Sequence, residues 1–86
     1  MKTVKMTQKE FNAIGRDENG IKVIPPYTDL SEIDGFGKGC SFGEWCSFGE
    51  WCSFGEWCSF GERCSLGKEC SFGKECSFGK GCSFGE

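Results

Sequence analysis

Three tryptophans and the glutamates around them are the residues whose types and spacing best suit a chemical task. They recur at six-residue intervals as the dipeptide Glu-Trp, and a fourth glutamate follows one interval later. Tryptophan is enriched at the hot spots of protein interfaces, and carboxylates beside it favour a basic partner. The sequence therefore predicts a partner-binding surface. Its seven residues are Glu44, Trp45, Glu50, Trp51, Glu56, Trp57 and Glu62.

The residues that most often perform catalysis are missing or unsuitably spaced. The chain has no histidine, so its serines lack the usual base that activates a hydroxyl nucleophile. Its eight cysteines recur every six residues, which is unlike the Cys-x-x-Cys pairs of zinc sites. No phosphate-binding loop is recognisable. We expect a protein that is not an enzyme, with no catalytic residue, no metal site and no cofactor.

A hexapeptide, Phe-Gly-x-x-Cys-Ser, positions these residues from Phe36 to Glu86, with Leu66 in place of one Phe. A short, fixed period is typical of a solenoid, in which each repeat buries its apolar face against its neighbours. Cys and Phe lie two residues apart, so both face the core while the Ser between them faces outward. We expect Gly to supply the backbone freedom that a corner requires. Any surface function then falls to the two variable positions.

The N-terminal part lacks the repeat and is predicted to form a cap over residues 1–23. Thr7 and Glu10 have the spacing of a capping box, which predicts a helix over about 7–14 that covers the end of the core. The solenoid is predicted to span 24–86 and to be regular from residue 36. Its two degenerate first repeats place Ile24 and Leu30 in the Phe position, and Thr28 and Asp34 in the Cys position.

Charged residues at the variable positions indicate the length of one coil. If three repeats make a coil, so that position i stacks on i+18, five stacked pairs have opposite signs and one pair, Glu44–Glu62, has like signs. Two repeats per coil give three like pairs in seven, whereas four repeats give one in five, so charge excludes only the smallest coil. The opposite pairs in the three-repeat coil are Lys38–Glu56, Glu50–Lys68, Glu56–Lys74, Glu62–Lys80 and Lys68–Glu86.

The hexapeptide is similar to the repeat of left-handed parallel β-helices, in which an aliphatic residue precedes Gly or an acid and a small residue comes four positions later. The resemblance covers residues 24–86. It implies an all-β solenoid, namely a three-sided parallel β-helix with three hexapeptides per coil, capped by the short N-terminal helix. The order Cys-Ser-Phe also resembles the right-handed, four-sided pentapeptide-repeat proteins, which leaves the handedness open.

In a three-sided coil the tryptophans lie on three different faces and form a belt. Trp45 would then lie over Arg63 as a cation–π pair, and Trp51 and Trp57 would lie over Glu69 and Glu75. In one interpretation the tryptophans serve only to cover the next coil. In the other, the belt of these tryptophans and the glutamates interleaved with them anchors a partner.

Small acidic chains without catalytic apparatus resemble phage-encoded inhibitors of host defence, including anti-CRISPR proteins, and pentapeptide-repeat DNA mimics offer a solenoid precedent. By this analogy we expect a phage-encoded, non-catalytic inhibitor that binds a basic protein surface and blocks a host nucleic-acid-binding defence complex. Residues 29–62 hold seven acids against one lysine, which disfavours direct binding to nucleic acid. The alternatives are a structural repeat element of a phage fibre or spike, and an ice-binding solenoid.

Composition also bears on the compartment and on self-association. The first ten residues lack the apolar run of a signal peptide, and no segment is long and apolar enough to span a membrane. The evenly spaced cysteines are expected to be reduced core residues, which favours the cytoplasm, that of the host cell if the chain is phage-encoded. The last coil would expose strand edges, so we expect a homodimer through this uncapped C-terminal coil.

Overall fold

The protein is described by a computed structural model that covers residues 3–85. Strands of two or three residues alternate with turns, and one helix, α1, spans Gln8–Ala13. The strands are β1 Val4–Lys5, β2 Lys22–Ile24, β3 Thr28–Leu30, β4 Cys40–Phe42, β5 Ser47–Phe48, β6 Ser53–Phe54, β7 Ser59–Phe60, β8 Ser65–Leu66, β9 Ser71–Phe72, β10 Ser77–Phe78 and β11 Ser83–Phe84.

The strands form three parallel sheets, which are the three faces of a solenoid of about four turns. The first sheet has the order β1-β3-β5-β8-β11, the second has the order β10-β7-β4-β2, and the third pairs β6 with β9. Ser41 lies in register with Ser59, and Ser59 with Ser77, so one coil contains three hexapeptides. The predicted three-sided parallel β-helix is confirmed, and the coil of four repeats that charge had left open is wrong.

The phenylalanines form three stacks along the solenoid axis. Within a stack the rings lie nearly parallel, as for Phe36 and Phe54, whose centroids are 4.6 Å apart at an interplanar angle of 7°. Between stacks the rings meet edge to face, as for Phe42 and Phe48 at 4.9 Å and 87°. Both arrangements suit the aromatic quadrupole, so a core of phenylalanine fills the triangular coil. The stacks are Phe36–Phe54–Phe72, Phe42–Phe60–Phe78 and Phe48–Leu66–Phe84.

The cysteines face inward, as the strand alternation predicted, and those at 40, 46, 52, 58 and 64 are fully buried. The last coil is more open. Its cysteines at 70, 76 and 82 are half-buried, and the rings of Phe78 and Phe84 are 37% and 52% exposed. Strands β9, β10 and β11 each stand at the end of their sheets, so this coil has the least covered core in the described chain.

Helix α1 covers the opposite end of the core. The predicted capping box is present, since the Thr7 hydroxyl accepts from the Glu10 amide at 3.2 Å and the Glu10 carboxylate accepts from the Thr7 amide at 2.8 Å. The ring of Phe11 meets Phe36 edge to face at 5.2 Å. The Lys22 ammonium lies 4.3 Å from the Phe11 ring centroid and donates to the Phe11 carbonyl. The helix is thereby fixed on the first coil.

One of the two degenerate repeats departs from the predicted alignment. Ile24, Thr28 and Leu30 are buried, as expected from the six-residue count. Asp34, which the count placed in the inward Cys position, is exposed, and Ile33 is buried instead. The backbone rearranges here because burying an unpaired carboxylate costs far more than burying an isoleucine.

The predicted role of the repeat glycines holds at one end of the repeat and is wrong for most of it. The glycine that follows each core ring was expected to supply corner freedom. Gly37 has a φ of 68°, but from Gly43 to Gly79 the φ of this glycine is not positive. A Cβ on Gly61 would lie 2.7 Å from the Glu44 amide nitrogen and 2.8 Å from the Gly43 carbonyl carbon of the preceding coil. Glycine is required because the backbones of successive coils approach closely at this point.

Candidate binding surface

The variable positions of the repeat lie at the three corners of the solenoid. Corner 1 joins the second sheet to the first, corner 2 joins the first sheet to the third, and corner 3 joins the third sheet to the second. Each corner contains one of the three tryptophans of the predicted belt. The corners consist of 26–27, 44–45, 62–63 and 80–81 (corner 1), 32–33, 50–51 and 68–69 (corner 2), and 38–39, 56–57 and 74–75 (corner 3).

The residue before the cysteine adopts a left-handed backbone conformation at these corners. The φ angles of Trp45, Trp51 and Trp57 are 62°, 62° and 64°, and Arg63 and Glu69 have 60° and 61°. This conformation costs an L-residue about 1–2 kcal/mol relative to the right-handed region. Tyr27 and Glu75 share this conformation, with φ angles of 57° and 60°, so it belongs to the corner of the coil rather than to tryptophan alone. It turns each of these side chains toward the outside of the corner.

Trp45, at corner 1, lies between two flat side chains. The ring of Tyr27 stacks on it from the preceding coil at 6.4 Å and 8°. The Arg63 guanidinium lies over it from the following coil, 5.5 Å from the ring centroid, so the predicted cation–π pair is present. A shallow cleft of about 350 Å³ adjoins this stack and is lined by Thr3, Tyr27, Trp45, Ser47, Arg63 and Ser65.

Trp51 and Trp57, at corners 2 and 3, are less covered. They are 67% and 60% exposed, whereas Trp45 is 46% exposed. Their amides donate to the carbonyls of Lys68 and Lys74 in the following coil, each at 3.0 Å. This register places Glu69 and Glu75 at the positions that correspond to Arg63 at corner 1.

The four predicted glutamates Glu44, Glu50, Glu56 and Glu62 are all exposed. The register of three repeats per coil aligns the predicted opposite charges in successive coils, but none of these pairs is in contact within residues 3–85. The ion pair found in that range joins Lys5 to Glu32 at 3.2 Å. Lys68–Glu86 lies outside the described residues. The carboxylates of the belt are thus free of intramolecular ion pairs with any described residue.

The cysteines stack in the same register as the phenylalanines. From Cys46 onward their thiols donate to backbone carbonyls of the preceding coil, as Cys58 does to Gly37 at 3.4 Å. Burial, followed by the neighbouring Cys70, raises the pKa of Cys52 to about 12. A hydrogen bond with Cys58, together with burial, raises the pKa of Cys40. The thiols of Cys52 and Cys40 are therefore neutral core groups at neutral pH.

No group of three or more His, Cys, Asp or Glu side chains within residues 3–85 has an arrangement that could hold a metal ion. In the same range there is no helix with the length and apolar character needed to cross a membrane.

The structure places all seven predicted residues on the corners of successive coils, with one Glu-Trp pair at each corner. Sequence reasoning missed Tyr27, which extends the corner 1 stack, and the left-handed backbone that presents the tryptophans. A signal for the latter was present, because Gly39 and Gly81 occupy the same position of the repeat and also have positive φ. Glycine at two of the eight regular corners indicates a left-handed conformation at all of them.

Compared with models of known protein families, with curated proteins and with solved structures, the chain matches none.

Proposed function

We propose that this chain is a non-catalytic binding protein whose belt attaches to a basic surface of a nucleic-acid-binding partner and inhibits it. The belt consists of Glu44, Trp45, Glu50, Trp51, Glu56, Trp57 and Glu62. The observation that carries the proposal is the exposure of three tryptophans on left-handed corners, where they are 46%, 67% and 60% exposed. Exposed apolar rings bounded by unpaired carboxylates are suited to an interface with a cationic surface.

The arrangement of the acids bears on how such a partner would be held. Glu44, Glu50 and Glu56 lie at three different corners, and among the four belt glutamates only Glu44 and Glu62 are stacked in one corner. Duplex DNA carries about one charge per 1.7 Å of its axis, distributed around its circumference, so acids at three corners of one coil are compatible with local mimicry of DNA. A partner that engages all four glutamates must contact more than one side of the solenoid.

A capture experiment tests the proposal directly. The tagged chain is incubated with nuclease-treated bacterial lysates, including lysates of strains that contain CRISPR effectors, beside a variant with Trp45→Ala, Trp51→Ala and Trp57→Ala. We expect wild type to retain a nucleic-acid-binding protein that the variant loses, and the isolated partner to bind its nucleic acid more weakly when wild type is added. Urea unfolding of both proteins verifies that the variant is folded.

Charge reversal provides a second arm with the same partner. Replacing Glu44, Glu50, Glu56 and Glu62 by lysine leaves every tryptophan in place and should abolish retention if a basic surface is recognised. Equal retention by wild type and both variants would contradict the proposal. In that case the tryptophans act as covers for their neighbouring coils.

The last coil favours a second candidate function, namely self-association. Phe78 and Phe84 are 37% and 52% exposed, and within residues 3–85 β9, β10 and β11 each have a neighbouring strand on one side only. A two-fold contact through this end would give a homodimer, whereas a head-to-tail contact would give the fibre-like element. Light scattering over a range of concentrations separates the two, and a concentration-independent monomer would exclude both.

A further inference from the structure

Corners 1 and 2 each present a tryptophan on the same backbone conformation, but the residue at the equivalent position of the following coil has opposite charge at the two corners. At corner 1 this residue is Arg63, whose guanidinium lies 5.5 Å from the centroid of Trp45. At corner 2 the equivalent residue is Glu69, with nearly the same φ, 61° against 60°. The amides of Trp45 and Trp51 each donate to the carbonyl just before that residue, at 2.9 and 3.0 Å. The chain thus supplies its own cation at one corner and a carboxylate at the other.

We infer that corner 2 is an arginine-binding site, in which a guanidinium of the basic partner stacks on Trp51 between Glu50 and Glu69. This inference rests on the proposed function and specifies the partner group that the belt recognises. Arg63 on Trp45 is the internal example of the contact. Guanidinium combines stacking on an aromatic face with paired hydrogen bonds to carboxylate, whereas a lysine ammonium offers a point charge.

Charge distinguishes corner 2 from corner 3, which also has an exposed tryptophan. Corner 2 has three acids, Glu32, Glu50 and Glu69, against Lys68. Glu32 is engaged by Lys5, whereas Glu50 and Glu69 are exposed and form no ion pair within residues 3–85. Trp51 is also the most exposed of the three tryptophans, at 67%.

Corner 3 has two lysines, Lys38 and Lys74, against Glu56 and Glu75. The Arg16 guanidinium also reaches this corner and donates to the Lys38 carbonyl at 2.9 Å. The cations already present at corner 3 oppose a further one, so the proposal is specific to corner 2.

The test uses fluorescently labelled oligoarginine and oligolysine peptides of equal length, with binding to the full chain followed by anisotropy at low ionic strength. We expect wild type to bind oligoarginine about fivefold or more tightly than oligolysine, since stacking on tryptophan favours guanidinium. Glu69→Arg should weaken oligoarginine binding about tenfold, because it places a cation on Trp51 as Arg63 does on Trp45. Arginine already occupies this backbone conformation at 63, so the substitution is compatible with the fold.

Glu75→Arg is the matched control, with the same change of charge in the same backbone conformation at corner 3. It should weaken binding by about twofold, through general electrostatics alone. The reciprocal change, Arg63→Glu, should strengthen oligoarginine binding by uncovering Trp45. Equal effects of Glu69→Arg and Glu75→Arg, or equal binding of the two peptides by wild type, would overturn the inference.

The protein partner separates this inference from the proposed function. If the Trp45, Trp51 and Trp57 triple variant loses the captured partner but Glu69→Arg retains it, the inference is wrong and the proposed function stands. If Glu69→Arg loses both the partner and oligoarginine while Glu75→Arg retains them, the inference is supported. If the triple variant retains the partner, the proposed function fails, and selective oligoarginine binding then supports corner 2 only as an arginine site.

Discussion

Inside the coils the sequence scarcely varies, whereas the corners vary freely. From residue 36 onward every core ring is Phe except Leu66, but the eight regular corners use four different dipeptides, Lys-Gly, Glu-Trp, Glu-Arg and Lys-Glu. The interior is constrained because stacked rings such as Phe36 and Phe54 lie 4.6 Å apart and glycines contact the preceding backbone. A corner residue must only tolerate positive φ and solvent. The interior therefore determines stability, and the corners are available for recognition.

The largest effect that separates the two regions is expected from truncation of a stacked ring. Phe54 lies between Phe36 and Phe72, at 4.6 and 5.1 Å, so Phe54→Ala should lower the free energy of unfolding by about 3–5 kcal/mol. Trp51→Ala removes a larger side chain from a corner and should cost less than about 1 kcal/mol. Urea unfolding measures both. A similar loss for the two variants would show that the belt belongs to the core.

A smaller effect on stability should distinguish glycines that follow a core ring, such as Gly61, from glycines at the corners, such as Gly81. Gly61→Ala places a Cβ 2.7 Å from the Glu44 nitrogen, and because backbone cannot move aside easily we expect a loss of about 1–3 kcal/mol. Gly81→Ala, at a corner with φ of 72°, meets the flexible Arg63 side chain at 3.2 Å and should cost about 1 kcal/mol from backbone strain alone. The reverse order in urea unfolding would show that backbone strain at a corner outweighs the close approach of successive coils at Gly61.

Much of the architecture was predictable because each repeat of a solenoid contacts only its neighbours, so local sequence patterns determine the fold. The period of six, the alternation of Cys, Ser and Phe, and the capping box of Thr7 and Glu10 are local patterns, and each is found in the structure. Stacked charges excluded the coil of two repeats. The choice between three and four repeats per coil came from the family resemblance, since both lengths satisfy the charges almost equally.

Features that depend on the distance between coils could not be predicted. The steric requirement at Gly61 involves Glu44, which is 17 positions away in the sequence and in contact only after the coil has closed. Ile33 is buried in place of Asp34 because burying an unpaired carboxylate is costly. The six-residue period of the sequence contains no information about that cost. For the belt, the sequence predicted the outward position of the residues and the Arg63–Trp45 contact, but not the left-handed backbone at the tryptophans.

Cys52, in the interior, should contribute to the pH dependence of stability above neutrality. Burial raises the pKa of Cys52 to about 12, against about 8.5 for an exposed thiol. The contribution of Cys52 is therefore complete below about pH 8.5 and declines as the pH rises toward 12, because only the unfolded chain releases the proton.

The slope from this one thiol is at most about 1.4 kcal/mol per pH unit. Urea unfolding of wild type and Cys52→Ala at pH 8 and pH 10, under reducing conditions, isolates the contribution of this thiol. We expect the variant to lose less stability than wild type between these pH values. Parallel losses would mean that Cys52 ionises as freely in the folded protein as in the unfolded chain.

The smallest effect concerns corner 1, where Arg63 of the same chain lies over Trp45. Arg63→Ala removes the cation over Trp45, and an exposed cation–π contact is worth about 0.5–1 kcal/mol. Lys68 directly precedes Glu69 at corner 2 and forms no ion pair within residues 3–85. Lys68→Ala should therefore change the free energy of unfolding by less than about 0.5 kcal/mol. If urea unfolding shows a measurable loss for Arg63→Ala alone, the cation stabilises the tryptophan on which it lies. An equal response of the two variants would instead mean that Arg63 covers Trp45 without stabilising the coil.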